Sequence, residues 1–273
     1  MQKVNGRALA DACAEQLKSE YESLENQVIL GLVVVGDNAV TNQFVKYKKM
    51  MAERLGVRVQ EFLLPENCDQ NQVKHALGQA VVKTDGVVVQ LPLPQHINTQ
   101  EVLDIIPASC DPDVLSSDAY QIFLQNMNVL PPVTAAIDEI FHAYNIALAD
   151  RRVVVIGQGN LVGRPTADYC EHQGAEVSRV DIDTSEDEKR ELLGQADIVI
   201  SGVGSPDLVT GEMIKQGVVL IDAGTSNDQG VVRGDIAQSA IEKSSVYSTT
   251  PGGVGPLTVV MLFKNLLTLV NDR

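Results

Sequence analysis

The feature that most limits what this chain can fold into is an alternation of short β-branched runs with longer amphipathic segments. Runs that are apolar on both faces belong to parallel strands covered on both sides by helices, and the longer segments are the crossover helices. The class read from this pattern is α/β. In the first half, strands are expected at Val28 to Val35, Val57 to Leu63 and Gly86 to Gln90, with helices near 39–55 and 69–82. In the second half they are expected at Arg152 to Ile156, Glu176 to Val180, Ile198 to Ser201 and Val218 to Ile221. Residues 107–134 hold four prolines and little periodicity, which reads as a loop-rich crossover leading to a helix from about Ala135 to Ala147. The apolar segment Leu257 to Val270 has helical length and is expected to pack back on the first lobe. A chain of 273 residues has room for two such lobes.

Charge narrows the partners. With 36 acidic against 21 basic residues the formal charge is -15, which opposes docking on nucleic acid or an anionic membrane surface. A small phosphate ligand remains compatible, because helix N-termini bind anions locally. Cys13, Cys68, Cys110 and Cys170 lie far apart with no C-x-x-C pair, so they read as reduced thiols rather than a disulfide framework or zinc site. His75, His96, His142 and His172 have no metal-like spacing, and no metal is predicted. The N-terminus is amphipathic without an apolar signal region, and no later stretch approaches the roughly 18 apolar residues of a membrane span. Cytoplasm is the expected compartment. No G-x-S-x-G nucleophile elbow occurs.

One segment carries a ligand signature. Val153-Val-Val-Ile-Gly-Gln-Gly-Asn-Leu-Val-Gly163 runs a buried strand into a glycine loop and then a helix. Gly157, Gly159 and Gly163 permit a tight turn and close backbone approach. A pyrophosphate can then sit against Gln158, Asn160, Leu161, Val162 and the helix N-terminus. A second strand ends in Val180-Asp-Ile-Asp183, about twenty residues on, where a carboxylate holds a ribose hydroxyl. Asp183 is the favoured partner by distance from Gly163, with Asp181 next. The competing reading is that the glycines make only a turn and the aspartates only cap a helix.

Three further segments stand out. Val87-Val-Val-Gln-Leu-Pro-Leu-Pro94 puts Gln90, Leu91 and Pro92 at the carboxyl end of a strand, where open α/β sheets bind ligands. Pro251-Gly-Gly-Val-Gly-Pro256 is a rigid loop over which a flat ligand can lie close to Pro251, Gly252 and Gly253. Asn42-Gln-Phe-Val-Lys-Tyr-Lys-Lys49 sets Phe44 and Lys48 four apart on one helical face. Together with Val4-Asn-Gly-Arg and Val231-Val-Arg-Gly-Asp235, these resemble the bifunctional methylenetetrahydrofolate dehydrogenase/cyclohydrolase family, often called FolD, over nearly the whole chain.

That resemblance implies oxidation of 5,10-methylenetetrahydrofolate with NAD(P)⁺, then hydrolysis of the methenyl product to 10-formyltetrahydrofolate. It also implies a homodimer and two lobes. These are an N-terminal α/β substrate lobe at 1–134 and a Rossmann-type parallel-sheet cofactor lobe at 135–255, with a C-terminal helix at 256–273 returning to the first. The family's catalytic lysine falls on Lys48, its glutamine partner on Gln90 and its pterin-binding aspartate on Asp113. Such a lysine in a partly desolvated cleft can handle water or a ring-opening proton, and the aspartate can fix a pterin's donor edge. The chain departs from the family at three points. Phe44 stands where tyrosine is usual, Asp111-Pro-Asp-Val-Leu115 replaces Asp-Val-Asp-Gly-Phe, and Pro132-Val-Thr-Ala135 replaces Pro-Cys-Thr-Pro. Relatives that use NADP often carry basic or hydroxyl groups around the nucleotide. Here Gln158 and Gly159 stand in the loop, and Asp181, Asp183, Glu186, Asp187 and Glu188 follow the second strand. NAD is therefore expected over NADP, with Arg179 or Lys189 as the groups that could rescue a 2′-phosphate. Two other readings stand beside this one: a folate- or nucleotide-binding paralogue without turnover, and a different two-lobed nicotinamide dehydrogenase.

Overall fold

The structure is a computed structural model that describes residues 1–228 and 231–273. In chain order it runs β1 (Gln2–Lys3), α1 (Gly6–Glu22), β2 (Ile29–Val35), α2 (Ala39–Leu55), β3 (Arg58–Leu64), α3 (Gln70–Lys83) and β4 (Gly86–Val89). There follow α4 (Thr99–Leu103), a 3-10 turn at Ala108–Cys110, α5 (Ser117–Asn126), α6 (Pro132–Ala143), β5 (Arg152–Ile156), α7 (Gly163–His172), β6 (Glu176–Val180) and α8 (Glu186–Gln195). The remainder is β7 (Ile198–Ser201), β8 (Val219–Asp222), β9 (Ser226–Asp228), β10 (Val231–Arg233), α9 (Gln238–Ile241), β11 (Val246–Tyr247) and α10 (Val254–Asn271). The chain forms two compact units, Met1–Ala10 with Val133–Thr258, and Asp11–Pro132 with Val259–Arg273.

The first unit is a six-stranded sheet in the order β1-β11-β8-β7-β5-β6, with every neighbouring pair parallel. Val153 to Ile156 and Ile198 to Ile200 are buried on both faces, which is why these runs lack polar alternation. Strand order reverses at β5, which has β6 on one side and β7 on the other. Ligands of such sheets bind outside the carboxyl ends of the strands at this switch point. The first ten residues were expected in the other lobe. They join this unit because β1 extends the sheet edge, with Gln2 N donating to Ser245 O and Val4 N to Tyr247 O at 2.7 and 2.8 Å. A two-residue strand has no periodicity of its own to announce this.

The second unit holds a three-stranded parallel sheet, β3-β2-β4. Val33, Val73, Leu77, Val87 and Ile106 build its core. An Asp69/Gln72 capping box starts α3. From Val259 onward α10 belongs to this unit: Tyr21 Oη donates to Phe263 O at 2.6 Å, and Phe263 and Leu266 are fully buried. Each such side chain contributes about 1.5–3 kcal/mol by leaving water. With 18 residues and mean hydropathy 1.5, α10 is the one helix among the described residues long and apolar enough to cross a membrane. No segment was expected to come near that mark. Its apolar residues are spent on the core, where Leu262, Phe263, Leu266 and Leu267 are buried.

The stretch expected to be loop-rich contains α5, started by Ser116 Oγ accepting from Ala119 N. A ten-residue helix fixed by its cap and two buried side chains, Ala119 and Phe123, carries too few turns for periodicity to show. The next helix, expected from Ala135 to Ala147, starts at Pro132 and stops at Ala143. Proline suits the first helical position, where its missing N–H costs nothing.

Candidate active site and dinucleotide site

In the second unit, α2 begins with Asn38 Oδ1 accepting from Thr41 N at 3.1 Å. It buries Thr41, Val45, Ala52 and Leu55 on one face. Lys48 falls at the edge of that face and is half-buried. Its Nζ donates to Gln90 Oε1 at 3.0 Å. Gln90 directly follows β4 and is only 6 % exposed. Its backbone N donates to Val33 O at 2.9 Å and its Nε2 to Leu91 O at 2.8 Å, so both ends of the residue are held. The Leu91–Pro92 peptide is cis.

Asp113 sits close enough to feel Lys48. Burial raises its carboxyl above the usual range, and the Lys48 ammonium pulls it back down. The structure thus brings Lys48, Gln90 and Asp113 together. Phe44 lies one turn before Lys48 and is 45 % exposed; the Tyr47 hydroxyl accepts from Gln43 Nε2 at 2.9 Å.

Asp111 had no expected role, yet it shapes this loop. Its Oδ2 accepts from Leu115 N at 2.9 Å and Ser116 N at 2.7 Å, while its buried Oδ1 has no hydrogen-bond partner among the described residues. Burial pushes its carboxyl up to about 6, with the Ser116 backbone N–H opposing and Asp113 reinforcing the rise. Val114, where the family has glycine, adopts φ 57°. That left-handed conformation costs a β-branched residue roughly 1–2 kcal/mol. The loop is also gripped from α10, where Asn265 Nδ2 donates to Pro112 O at 2.9 Å and Leu130 O at 2.7 Å. Asn265 stands beside Lys264 in a largely apolar terminal segment, and nothing in that pattern singles it out.

In the first unit, Gly157 takes φ 87° as β5 ends, and its N donates to Val180 O at 2.8 Å. A Cβ on Gly163 would lie 1.6 Å from Gly157 O, so the third glycine is fixed by contact with the first. A Cβ on Gly159 would meet nothing within 4 Å among the described residues, which leaves that backbone open. Gln158 Nε2 donates to Val155 O and Gly157 O at 3.1 Å each, folding back on the loop. Asn160 and Leu161 are exposed. Val162 precedes α7 without a side-chain cap; Val162 N and Arg164 N donate to Gly159 O at 3.3 and 3.2 Å and Pro165 carries no N–H, so Gly163 N is the first-turn group this end offers an anion. These features fit a dinucleotide pyrophosphate.

Asp181 directly follows β6, and its Oδ1 accepts from Asp183 N at 3.0 Å and Thr184 Oγ1 at 3.1 Å. Asp183 lies two residues further on in the turn and is exposed. Arg179 Nη2 donates to Asp168 at 2.7 Å and Glu171 at 2.9 Å, and Lys189 Nζ to Glu186 at 2.7 Å. Both nearby cations are therefore engaged by carboxylates. Pro251, Gly252 and Gly253 belong to this same unit, with a cis Thr250–Pro251 peptide and φ 100° at Gly252.

Residues 131–273 match the family described as "Tetrahydrofolate dehydrogenase/cyclohydrolase, NAD(P)-binding domain", and residues 4–113 match its catalytic domain. A "Bifunctional protein FolD" of Mycoplasmopsis synoviae is 34% identical, the alignment covering 98% of this chain and 99% of the relative. Among solved structures, the FolD methylenetetrahydrofolate dehydrogenase/cyclohydrolase of Campylobacter jejuni superposes with TM-score 0.95 at 31% identity, covering 100% of this chain and 99% of that one. The Trypanosoma brucei enzyme, solved with NADP and an inhibitor, gives TM-score 0.93 at 30% identity, covering 98% and 97%. A lysine held by a strand-end glutamine in one unit, a glycine loop at the switch point of the other, and matches spanning both units agree: the chain belongs to the tetrahydrofolate dehydrogenase/cyclohydrolase family.

Proposed function

We propose that this chain oxidises 5,10-methylenetetrahydrofolate to the methenyl form with NAD(P)⁺ and hydrolyses that product to 10-formyltetrahydrofolate. The observation that carries the reading is the 3.0 Å contact between Lys48 Nζ and Gln90 Oε1, with Asp113 beside it. Lys48 moves the proton of the attacking water and of the opening ring, Gln90 aims it, and Asp113 orients the pterin through its donor edge. Phe44, Leu91 and Pro92 supply apolar contact to a flat ring. A bound nicotinamide supplies the hydride acceptor. Gly157 to Gly163 and the N-terminus of α7 hold its pyrophosphate, and Pro251, Gly252 and Gly253 form a loop over which the flat substrate ring can lie close.

NAD⁺ is the preferred nucleotide in this reading. Asp181 directly follows β6 and Asp183 lies two residues on, where a ribose is held, and their carboxylates repel a 2′-phosphate of roughly one and a half to two negative charges. Asp183 stays the favoured ribose partner by its distance from Gly163, with Asp181 next. A cytoplasmic homodimer is part of the same proposal: the family resemblance implies the dimer, and four separated free cysteines suit a reducing compartment. Neither nucleic acid nor membrane is a partner, given the charge of -15.

Lys48→Met is the direct test. Hydrolysis of methenyltetrahydrofolate, followed by the loss of its absorbance, is expected to fall at least about a hundredfold while the thermal unfolding midpoint is retained. Hydrolysis at the wild-type rate would remove Lys48 from the mechanism.

A further inference from the structure

A buried carboxylate is costly unless N–H and O–H groups converge on it, and where they converge shows what it holds. Two such groups lie inside the first unit. Asp235 is fully buried; its Oδ2 accepts from Ser201 Oγ at 2.6 Å and Val203 N at 2.8 Å, and its Oδ1 accepts from Ser205 N at 2.7 Å. It therefore pins the loop that leaves the carboxyl end of β7. That loop leans on the glycine loop. A Cβ on Gly157 would lie 2.9 Å from Val203 Cγ2, and one on Gly202 would lie 2.4 Å from Val162 Cγ1.

Asp222, the last residue of β8, is 3 % exposed. Its Oδ1 accepts from Gly224 N at 3.2 Å and Asp235 N at 3.1 Å, and its Oδ2 accepts from Ile236 N at 3.2 Å. Its backbone N donates to Ser248 Oγ at 2.7 Å, and its carbonyl accepts from Thr250 Oγ1 at 3.3 Å, next to Pro251. The glycines interlock with the acids. A Cβ on Gly224 would lie 2.2 Å from the Asp235 carboxylate, and one on Gly234 would lie 2.0 Å from that of Asp222.

We propose that Asp235 and Asp222 are positioning residues for the nicotinamide nucleotide: they hold the loop after β7 against the glycine loop and tie it to the segment before Pro251, so the site is assembled before the nucleotide arrives. This rests on reading Gly157 to Gly163 as the dinucleotide site. Asp235→Asn keeps the shape but turns one acceptor into a donor facing donors.

The test compares the wild type with Asp235→Asn and the milder Ser201→Ala, measuring NAD⁺ and NADP⁺ dissociation constants, nucleotide KM, kcat and methenyltetrahydrofolate hydrolysis. Hydrolysis consumes no nucleotide and is assigned to the other unit, so it serves as the internal control. Asp235→Asn is expected to raise nucleotide Kd and KM at least about tenfold, and Ser201→Ala about threefold, with hydrolysis within about twofold of wild type. Should Asp235→Asn not fold, Ser201→Ala decides alone. Nucleotide affinity within about twofold of wild type in the folded variants, whatever happens to the melting temperature, overturns the positioning role. A wild type that hydrolyses substrate yet binds neither nucleotide overturns the dinucleotide reading beneath it.

Discussion

At the scale of single residues, Phe44, one turn before Lys48, and Asp111, in the loop that carries Asp113, each make a prediction. Phe44 keeps the ring expected to lie against a pterin but has no hydroxyl, and the nearest one on its helix, Tyr47, already accepts from Gln43. Phe44→Tyr is expected to raise methenyl hydrolysis by up to about tenfold, the worth of one ordinary hydrogen bond. No change or a fall in kcat would show that the hydroxyl is not limiting. Asp111 makes a pH prediction. Its folded-state pKa of about 6 exceeds the unfolded value near 3.8, so the native state binds more protons between these values and stability falls as pH rises through them. Two pH units correspond to roughly 3 kcal/mol at most. Asp111→Asn keeps an acceptor for Leu115 N and Ser116 N while removing the charge. Its stability relative to wild type is expected to improve by about 2–3 kcal/mol between pH 4 and pH 7 in urea unfolding. A difference that does not change with pH would refute the buried charge. The segments that carry Lys48, Gln90 and Asp113 stand out in the sequence, and the Lys48–Gln90 contact joins two of them. Asn265, Asp222 and Asp235 were not legible there, because what they do depends on groups distant in sequence, and Asp111 was not, because its bonds to Leu115 N and Ser116 N need the folded loop between them.

Elements were legible in proportion to their length and to the strength of their own pattern. The strands β2, β4, β5 and β7 announce themselves as continuous apolar runs because both faces are covered. The two-residue strands β1 and β11 exist only through pairing with partners such as Ser245 and Val219, and α4 and α5 depend on Asn98 and Ser116 as caps. The end of β6 carries the specificity prediction. There Asp181 braces its own turn, Ser185 caps α8, and Glu186 to Glu188 occupy that helix's first turn. The acids therefore have a local structural use as well as an electrostatic one. Arg179 and Lys189 are engaged by Asp168, Glu171 and Glu186, so a 2′-phosphate would have to displace an ion pair to gain a cation. kcat/KM is expected to favour NAD⁺ over NADP⁺ by at least about tenfold, or about 1.4 kcal/mol of discrimination. Equal or better use of NADP⁺ would place one of those cations on the phosphate.

At the scale of the whole molecule, each of the two units carries one part of the chemistry. The three-stranded unit gathers Lys48, Gln90 and Asp113 at the carboxyl edge of its sheet, and the six-stranded unit gathers Gly157 to Gly163, Asp181 and the Pro251 loop. The α/β class, the parallel sheets and the return of α10 followed from the sequence pattern. The membership of Met1–Ala10 in the six-stranded unit did not, since it depends on edge pairing alone. The most direct test is a spectrophotometric assay of the purified chain with 5,10-methylenetetrahydrofolate and NAD⁺, recording reduced nucleotide and methenyltetrahydrofolate together. The account predicts folate-dependent reduction of the nucleotide, with the methenyl absorbance decaying as 10-formyltetrahydrofolate forms. Folate and NAD⁺ that both bind to a folded chain without any reduction would contradict it and leave a binding protein in its place.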